Sequence, residues 1–221
     1  MKKINKEHFI RQRDLINAEK LDKKIIIIGA GGIGSWTALA LLKMGCINVT
    51  VLDFDGIEEH NLGSQIYNTN DIGKEKVNAL KDKLVPLVSQ EPQILNKKWT
   101  PSFNLTKYDI VISAVDSITV RGEMFNNLIK NKFKGYFIDG RMAANEINLY
   151  CINIEDKNHI ALYKDTLFKP EEALPIPCSA RAVIYNCFVI SGLIADCVAQ
   201  IVNKNVQKQE IIVDLMNLTM N

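Results

Sequence analysis

The sequence predicts an α/β fold in which a doubly wound, mostly parallel sheet carries helices on both faces, with a further strand or hairpin after about residue 136. Three observations predict it. Residues 25–53 read IIIIGAGGIGSWTALALLKMGCINVTVLD, an apolar run, a glycine-rich turn, an apolar-rich helix pattern and a second β-branched run. The four isoleucines do not alternate with polar residues, as expected for a strand buried on both faces. Further β-branched runs at 108–115 and 136–139 are separated by helical spacing, which is the rhythm of βαβ units.

The elements follow in order. Residues 1–22 are polar and charged, with Phe9, Ile10, Leu15, Ile16 and Leu21 at loosely helical spacing. They read as an amphipathic arm ahead of a domain over 23–221, and they carry Arg11 and Arg13. After the first strand, Gly29, Gly31 and Gly34 have the spacing GxGxxG, with Gly32 between them, and lead into a helix over 35–44. Glycines let the backbone approach a nucleotide's phosphates, whose charge is then met by the N–H groups and dipole of a helix N-terminus. The second strand, 49–52, ends on Asp53, where an acidic side chain can reach ribose hydroxyls. The plain structural alternative is a glycine turn that packs helix on sheet, with Asp53 a solvated strand end.

Residues 54–73 read as a polar loop at the carboxyl end of that strand, containing Asp55, Asn61 and Gln65. A helix from 74 puts Val77, Leu80 and Leu84 on one face and Lys76 near its start, and Pro86 ends it. A strand is expected near 93–97. The run 108–115 is a buried strand that ends on Asp116, followed by a helix over 119–130. Asp116 is either a hard carboxylate suited to a metal ion or the N-cap of that helix. Arg141 either meets a carboxylate or phosphate or forms a surface ion pair. Residues 155–177 are polar and contain prolines, so they read as a crossover loop. An apolar helix follows Cys178, which is either a nucleophile whose thiol pKa is lowered by the helix N-terminus and by Arg181 or a structural cysteine that caps the loop. The run 211–216 closes the chain as a strand.

Composition narrows the classes. A chain of 221 residues, 47% apolar and 24% charged with a formal net charge of +2, suits an ordinary soluble α/β domain. No basic stripe with interleaved aromatics points to nucleic acid. The charged N-terminus lacks the apolar core of a secretory signal, and no uninterrupted run of about 18 apolar residues occurs. The expectation is a cytoplasmic protein without membrane contact. The five cysteines form no CxxC pair, so no structural zinc and no disulfide framework is expected; four of them read as core residues.

Taken together, GxGGxG, then Asp53-x-Asp55, Asn61-Leu-x-x-Gln65 and Gly73-x-x-Lys76 resemble the ThiF/MoeB/HesA family, bacterial relatives of ubiquitin-activating enzymes. The resemblance implies an adenylyltransferase that uses ATP and magnesium to activate a C-terminal carboxylate, on a ubiquitin-like or sulfur-carrier protein or a peptide. It implies that Gly31 and Gly34 line the phosphates, Asp53 holds the ribose, Asn61 and Gln65 contact phosphates, Lys76 neutralises the triphosphate and Asp116 holds the metal. It also implies an antiparallel extension of the sheet after the strand at 136, a homodimer, and, in some relatives, a thioester on the cysteine that Cys178 resembles. One departure matters. The family's Asn-Leu-x-Arg-Gln has Ser64 at the arginine position, so Arg11 or Arg13, which resemble the arginine-bearing arm of relatives, become the candidate replacement. Two other readings stand beside it: a catalytically weak or inactive scaffold subunit, favoured by Ser64, and an oxidoreductase binding NAD(P) or FAD through the same glycine motif.

Overall fold

Alternate isoleucines of the first strand point into opposite layers, which explains why the run has no polar position. In β1 (Lys24–Ile28), Ile25 and Ile27 belong to one buried cluster and Ile26 and Ile28 to another, all at 1% exposure or less. The computed structural model describes residues 6–16, 20–88, 90–168, 183–205 and 207–221. Within them β2 (Asn48–Asp53), β3 (Gln93–Asn96), β4 (Ile110–Ser113) and β5 (Tyr136–Ala143) lie parallel to β1. The strands β6 (Glu146–Asn153), β7 (Glu210–Asp214) and β8 (Thr219–Met220) continue the sheet antiparallel. The order is β3-β2-β1-β4-β5-β6-β7-β8. Strand order therefore reverses between β1 and β4, and a crevice at their carboxyl ends is where such sheets bind ligands.

Helices cover both faces, as the sequence predicts. One face carries α1 (Gly32–Met44), α2 (Lys76–Leu84) and α5 (Ile184–Asn203) through Leu41, Leu80 and Ile190. The other carries α3 (Ile118–Lys130) and α4 (Lys157–Asp165) through Phe125 and Tyr163. Two details differ from expectation, and the strand or hairpin expected after residue 136 proves to be a hairpin. The α4 helix lies inside what reads as a crossover loop. Asp156 caps it by accepting from the amides of Asn158 and His159, and Tyr163 fixes it to the sheet at 0% exposure. The run after residue 136 is a hairpin of two eight-residue strands, turning at Ala144 and Asn145. Finally, α5 is by length and composition apolar enough to cross a membrane, although Asn186, Ser191 and Asp196 interrupt its apolar run. Its inner face packs in the core, where the Ser191 hydroxyl donates to Ile33 O at 3.2 Å on α1.

The arm is partly absorbed into the same body. Lys6–Gln12 form a 3₁₀ helix, Phe9 and Leu21 are buried, and Gln12 Nε2 donates to Met44 O at 2.6 Å at the carboxyl end of α1. Ile10 and Leu15 stay exposed, so the amphipathic face is only half used. Cys46, Cys151, Cys187 and Cys197 are all buried and unpaired, as small core residues.

Candidate functional site at the carboxyl edge of the sheet

The four glycines of the motif have different jobs. Gly29 has φ +104°, and a Cβ there would meet Ala114 O at 2.6 Å; one on Gly34 would collide with Gly29 O. Both are glycine because strand ends and helix pack closely, which is the plain structural reading. Gly32 is set against Cys187 Sγ and Met142 Cε, at 3.0 and 3.2 Å from such a Cβ. Gly31 is different. Its backbone is extended, and a Cβ would meet only Gln65 Nε2 at 3.8 Å. Neither packing nor backbone geometry demands a glycine there, so the missing side chain leaves open space beside the N-terminus of α1. That helix starts at Gly32 with no side-chain cap, and its first amides lack a side-chain acceptor.

Asp53 is placed as expected but does more than end a strand. Its Oδ2 accepts from Ala30 N at 2.6 Å and its Oδ1 from Asp55 N at 2.8 Å, at 7% exposure. Tyr67 OH donates to Ala30 O at 2.8 Å, so Ala30 is held at both its amide and its carbonyl. Burial, with Asp53 and Asp71 nearby, pushes the Tyr67 phenol well above its ordinary range and keeps it a donor. Sequence reasoning missed Tyr67. Its signal was the one tyrosine of the loop 54–73.

The polar loop is tightly built. Gly56 bridges to Glu75, and two capping boxes, Glu58 with Asn61 and Asn68 with Asp71, close its 3₁₀ turns. Asn61 Oδ1 thereby accepts from Glu58 N at 2.9 Å, which leaves its amide nitrogen as the free donor for a ligand. Gln65 Oε1 is buried without a partner among the described residues. An orphan acceptor of this kind costs roughly 1–3 kcal/mol. Ser64 is buried, and its carbonyl accepts from Trp36 Nε1 at 2.9 Å, which pins the loop to α1. Lys76 is the first residue of α2, where the helix dipole disfavours a cation, and it is 8% exposed. Asp55 Oδ2 compensates it at 3.0 Å.

Asp116 lies at the end of β4, exposed, and its carboxylate has no hydrogen bond or ion pair among the described residues. The N-cap alternative is overturned, because Ser117 caps α3 by accepting from Val120 N at 3.3 Å. Next to it lies a buried cluster. Asp139, at 0% exposure, takes Arg121 Nη1 on one oxygen, and Arg141 Nε at 2.7 Å and Tyr163 OH at 2.8 Å on the other. Arg141 also donates to Thr166 O at 2.9 Å and lies over the Tyr150 and Tyr163 rings. It is an ion-pair residue, half-buried and paired with a fully buried carboxylate rather than the surface pair that its sequence context allows.

Two candidates are not brought to the crevice. Arg11 and Arg13 are exposed and flank Gln12, which is bonded at the far end of α1, and Arg13 pairs with Asp14 on the surface at 3.6 Å. With α1 13 residues long, about 20 Å separate them from Gly31 within one chain. Cys178 lies outside the described residues, as does Arg181. Cys187, on the floor beside Gly32, is no substitute nucleophile: burial pushes its thiol up to about 11. Among the described residues no group of three His, Cys, Asp or Glu side chains is arranged to hold a metal.

The sheet order, the glycine turn and the switch point between β1 and β4 define an α/β protein of the Rossmann-like class. The chain belongs to the ThiF family, whose model matches residues 8–220. It is 31% identical over 103 residues to a probable adenylyltransferase/sulfurtransferase MoeZ of Mycobacterium tuberculosis, covering 44% of this chain and 26% of that protein. It is 28% identical over 131 residues to molybdopterin-synthase adenylyltransferase of Escherichia coli, covering 56% of this chain and 52% of that protein. The matched stretch thus spans about a quarter to a half of these relatives. The crystal structure of E. coli MccB with ATP superposes with a TM-score of 0.72 at 18% identity, covering 97% of this chain and 69% of that one, a likeness of fold.

Proposed function

We propose that the crevice binds ATP with magnesium and that the chain adenylates a C-terminal carboxylate, on a ubiquitin-like or sulfur-carrier protein or a peptide. The observation that carries this reading is the open side of Gly31. A side chain is absent where the fold does not forbid one, the uncapped start of α1 adjoins it, and Gln65 stands over it with an unpartnered buried acceptor. Lys76 is tied to the same point through Asp55, Asp53 and Ala30. That linkage favours a triphosphate over a dinucleotide, since a buried lysine held by a half-exposed carboxylate can be turned to phosphate. Membership of a family that includes named adenylyltransferases points the same way.

In this reading the phosphates lie against Gly31 and the first amides of α1, the ribose meets Asp53, and Lys76 neutralises the triphosphate. Asp116, a free hard carboxylate at the strand end, would hold magnesium, whose charge would offset that of the phosphates. The acceptor carboxylate attacks the α-phosphorus and releases pyrophosphate. Adenylation asks mainly for positioning and charge neutralisation, which these residues supply. With Ser64 at the loop position, Arg11 or Arg13 of a second copy provides the missing cation in a homodimer, since the arm of the same chain lies too far away. The Cys178 thiolate then attacks the acyl carbon of the adenylate, forming a thioester as the bond to the phosphate oxygen breaks and AMP leaves. A weak or inactive nucleotide-binding subunit is the second reading, and Ser64 favours it.

Pyrophosphate exchange with ATP, magnesium and a panel of C-terminal peptides, with and without a Gly-Gly ending, tests the reading. Exchange is expected to fall by at least about 100-fold in Lys76→Ala and in Asp116→Ala. Exchange indifferent to both changes overturns the site. Tight NADH binding with no ATP binding overturns the reaction class.

A further inference from the structure

Asp116 stands between two fixed points, and both are supplied by the first turn of α3. Ser117, on one side, caps the helix. On the other side the carbonyl of Val115 accepts from Arg121 Nη2. Arg121 is 5% exposed and is held in turn from across the sheet edge, by Asp139 and by Gly140 O at 2.9 Å. One planar guanidinium therefore ties the end of β4 to the middle of β5, with the carboxylate of Asp116 left without a partner between its clamped neighbours.

We infer that Arg121, oriented by Asp139, is a positioning residue that fixes Asp116 for a divalent cation bound with nucleotide, an inference that rests on the reading of the site given above. Magnesium demands near-ideal octahedral geometry, so a ligand supplied by a single carboxylate has to be held by its surroundings. Groups that orient a metal ligand commonly account for 10–100-fold in metal affinity. Arg141 makes the contrasting case. It shares Asp139, but its other donors go to Thr166 O and Oγ1, at the end of α4 and away from residue 116. It braces α4 and leaves Asp116 alone. A lysine at 121 keeps the charge opposite Asp139 but, as a single point donor, cannot also hold the two carbonyls.

Calorimetric titration of ATP into the full chain, with and without magnesium, gives the factor by which the metal tightens nucleotide binding. Arg121→Lys is expected to lower that factor about tenfold and to leave metal-free ATP affinity unchanged, whereas Arg141→Lys leaves the factor at its wild-type value. An unaltered factor in Arg121→Lys, or an equal loss in both variants, overturns the inference. Absence of ATP binding by the wild-type chain is a different result, and it overturns the proposed function itself. If circular dichroism shows that Arg121→Lys does not fold, Arg121→Gln replaces it. That change keeps a planar donor at the position but cannot span Val115 O, Asp139 and Gly140 O together. It is expected to lower the factor about tenfold, and no change there overturns the inference equally.

Discussion

Lys76–Asp55 and Asp139–Arg121–Arg141 are ion clusters on the same edge of one sheet, and they are built in opposite ways. In the first, a buried cation at an unfavourable helix end is matched by a carboxylate whose side chain is 47% exposed. In the second, the carboxylate is fully buried and its three donors are aimed by other contacts, to Val115, Gly140 and Thr166 and to two aromatic rings. An open pair can exchange its partner for a phosphate at small cost, because water already screens half of it. A sealed cluster cannot, and its charges act as a brace. The difference shows that charge near a crevice is not by itself a sign of binding: exposure of the counter-ion separates the two cases.

The largest effect that would sharpen this comparison is loss of the brace. Asp139→Asn leaves two arginines without their buried carboxylate and is expected to destabilise the chain by about 3–5 kcal/mol, read by urea unfolding. Lys76→Ala, in contrast, should change stability by no more than about 1 kcal/mol, while its effect falls on exchange. Equal losses of stability in the two variants would erase the distinction.

A smaller effect concerns Asp71, a second sealed carboxylate. Burial pushes its pKa up, but hydrogen bonds from Lys83, the Asn68 amide and Lys74 outweigh burial and hold it below the ordinary range. A depressed folded pKa adds stability that is complete above the unfolded value of about 3.9 and is lost as pH falls through the folded value. Asp71→Asn is expected to cost about 2 kcal/mol at pH 7, and the gap to wild type should close as the pH is lowered past about 4. A pH-independent gap would refute the assignment. Smallest is Gly31→Ala, expected to weaken ATP binding about tenfold, equal to about 1.4 kcal/mol, with unfolding unchanged. A large loss of stability would make Gly31 a packing glycine like Gly29.

Most of the architecture was legible because it rests on local periodicity. The isoleucine run, the glycine spacing and the β-branched strand ending on Asp53 gave β1, α1 and β2 in order. The helix α4 was not legible: only Tyr163 of its nine residues is buried, so the segment has no apolar stripe, and its start depends on the cap at Asp156. The candidate residues divide in the same way. Asp53, Gln65, Lys76 and Asp116 could be read from motif and position. The partners that define them could not, because Tyr67 meets Ala30 across 37 residues and Arg121 meets Asp139 across 18. The positions of Arg11 and Arg13 depended on where the arm docks, a contact between Gln12 and Met44 that no local pattern announces.

The hydrogen bond from Trp36 to Ser64 gives the chain its own optical reporter. There are two tryptophans. Trp99 is 5% exposed and packed among the residues on the other face of the sheet. Trp36 is half-buried, stacked edge-on against the exposed Phe188 at 4.8 Å, with its indole N–H on the loop that carries Gln65. A ligand that shifts this loop changes the emission of one indole and leaves the other as an internal standard, so that occupancy of the crevice can be followed by fluorescence without a label.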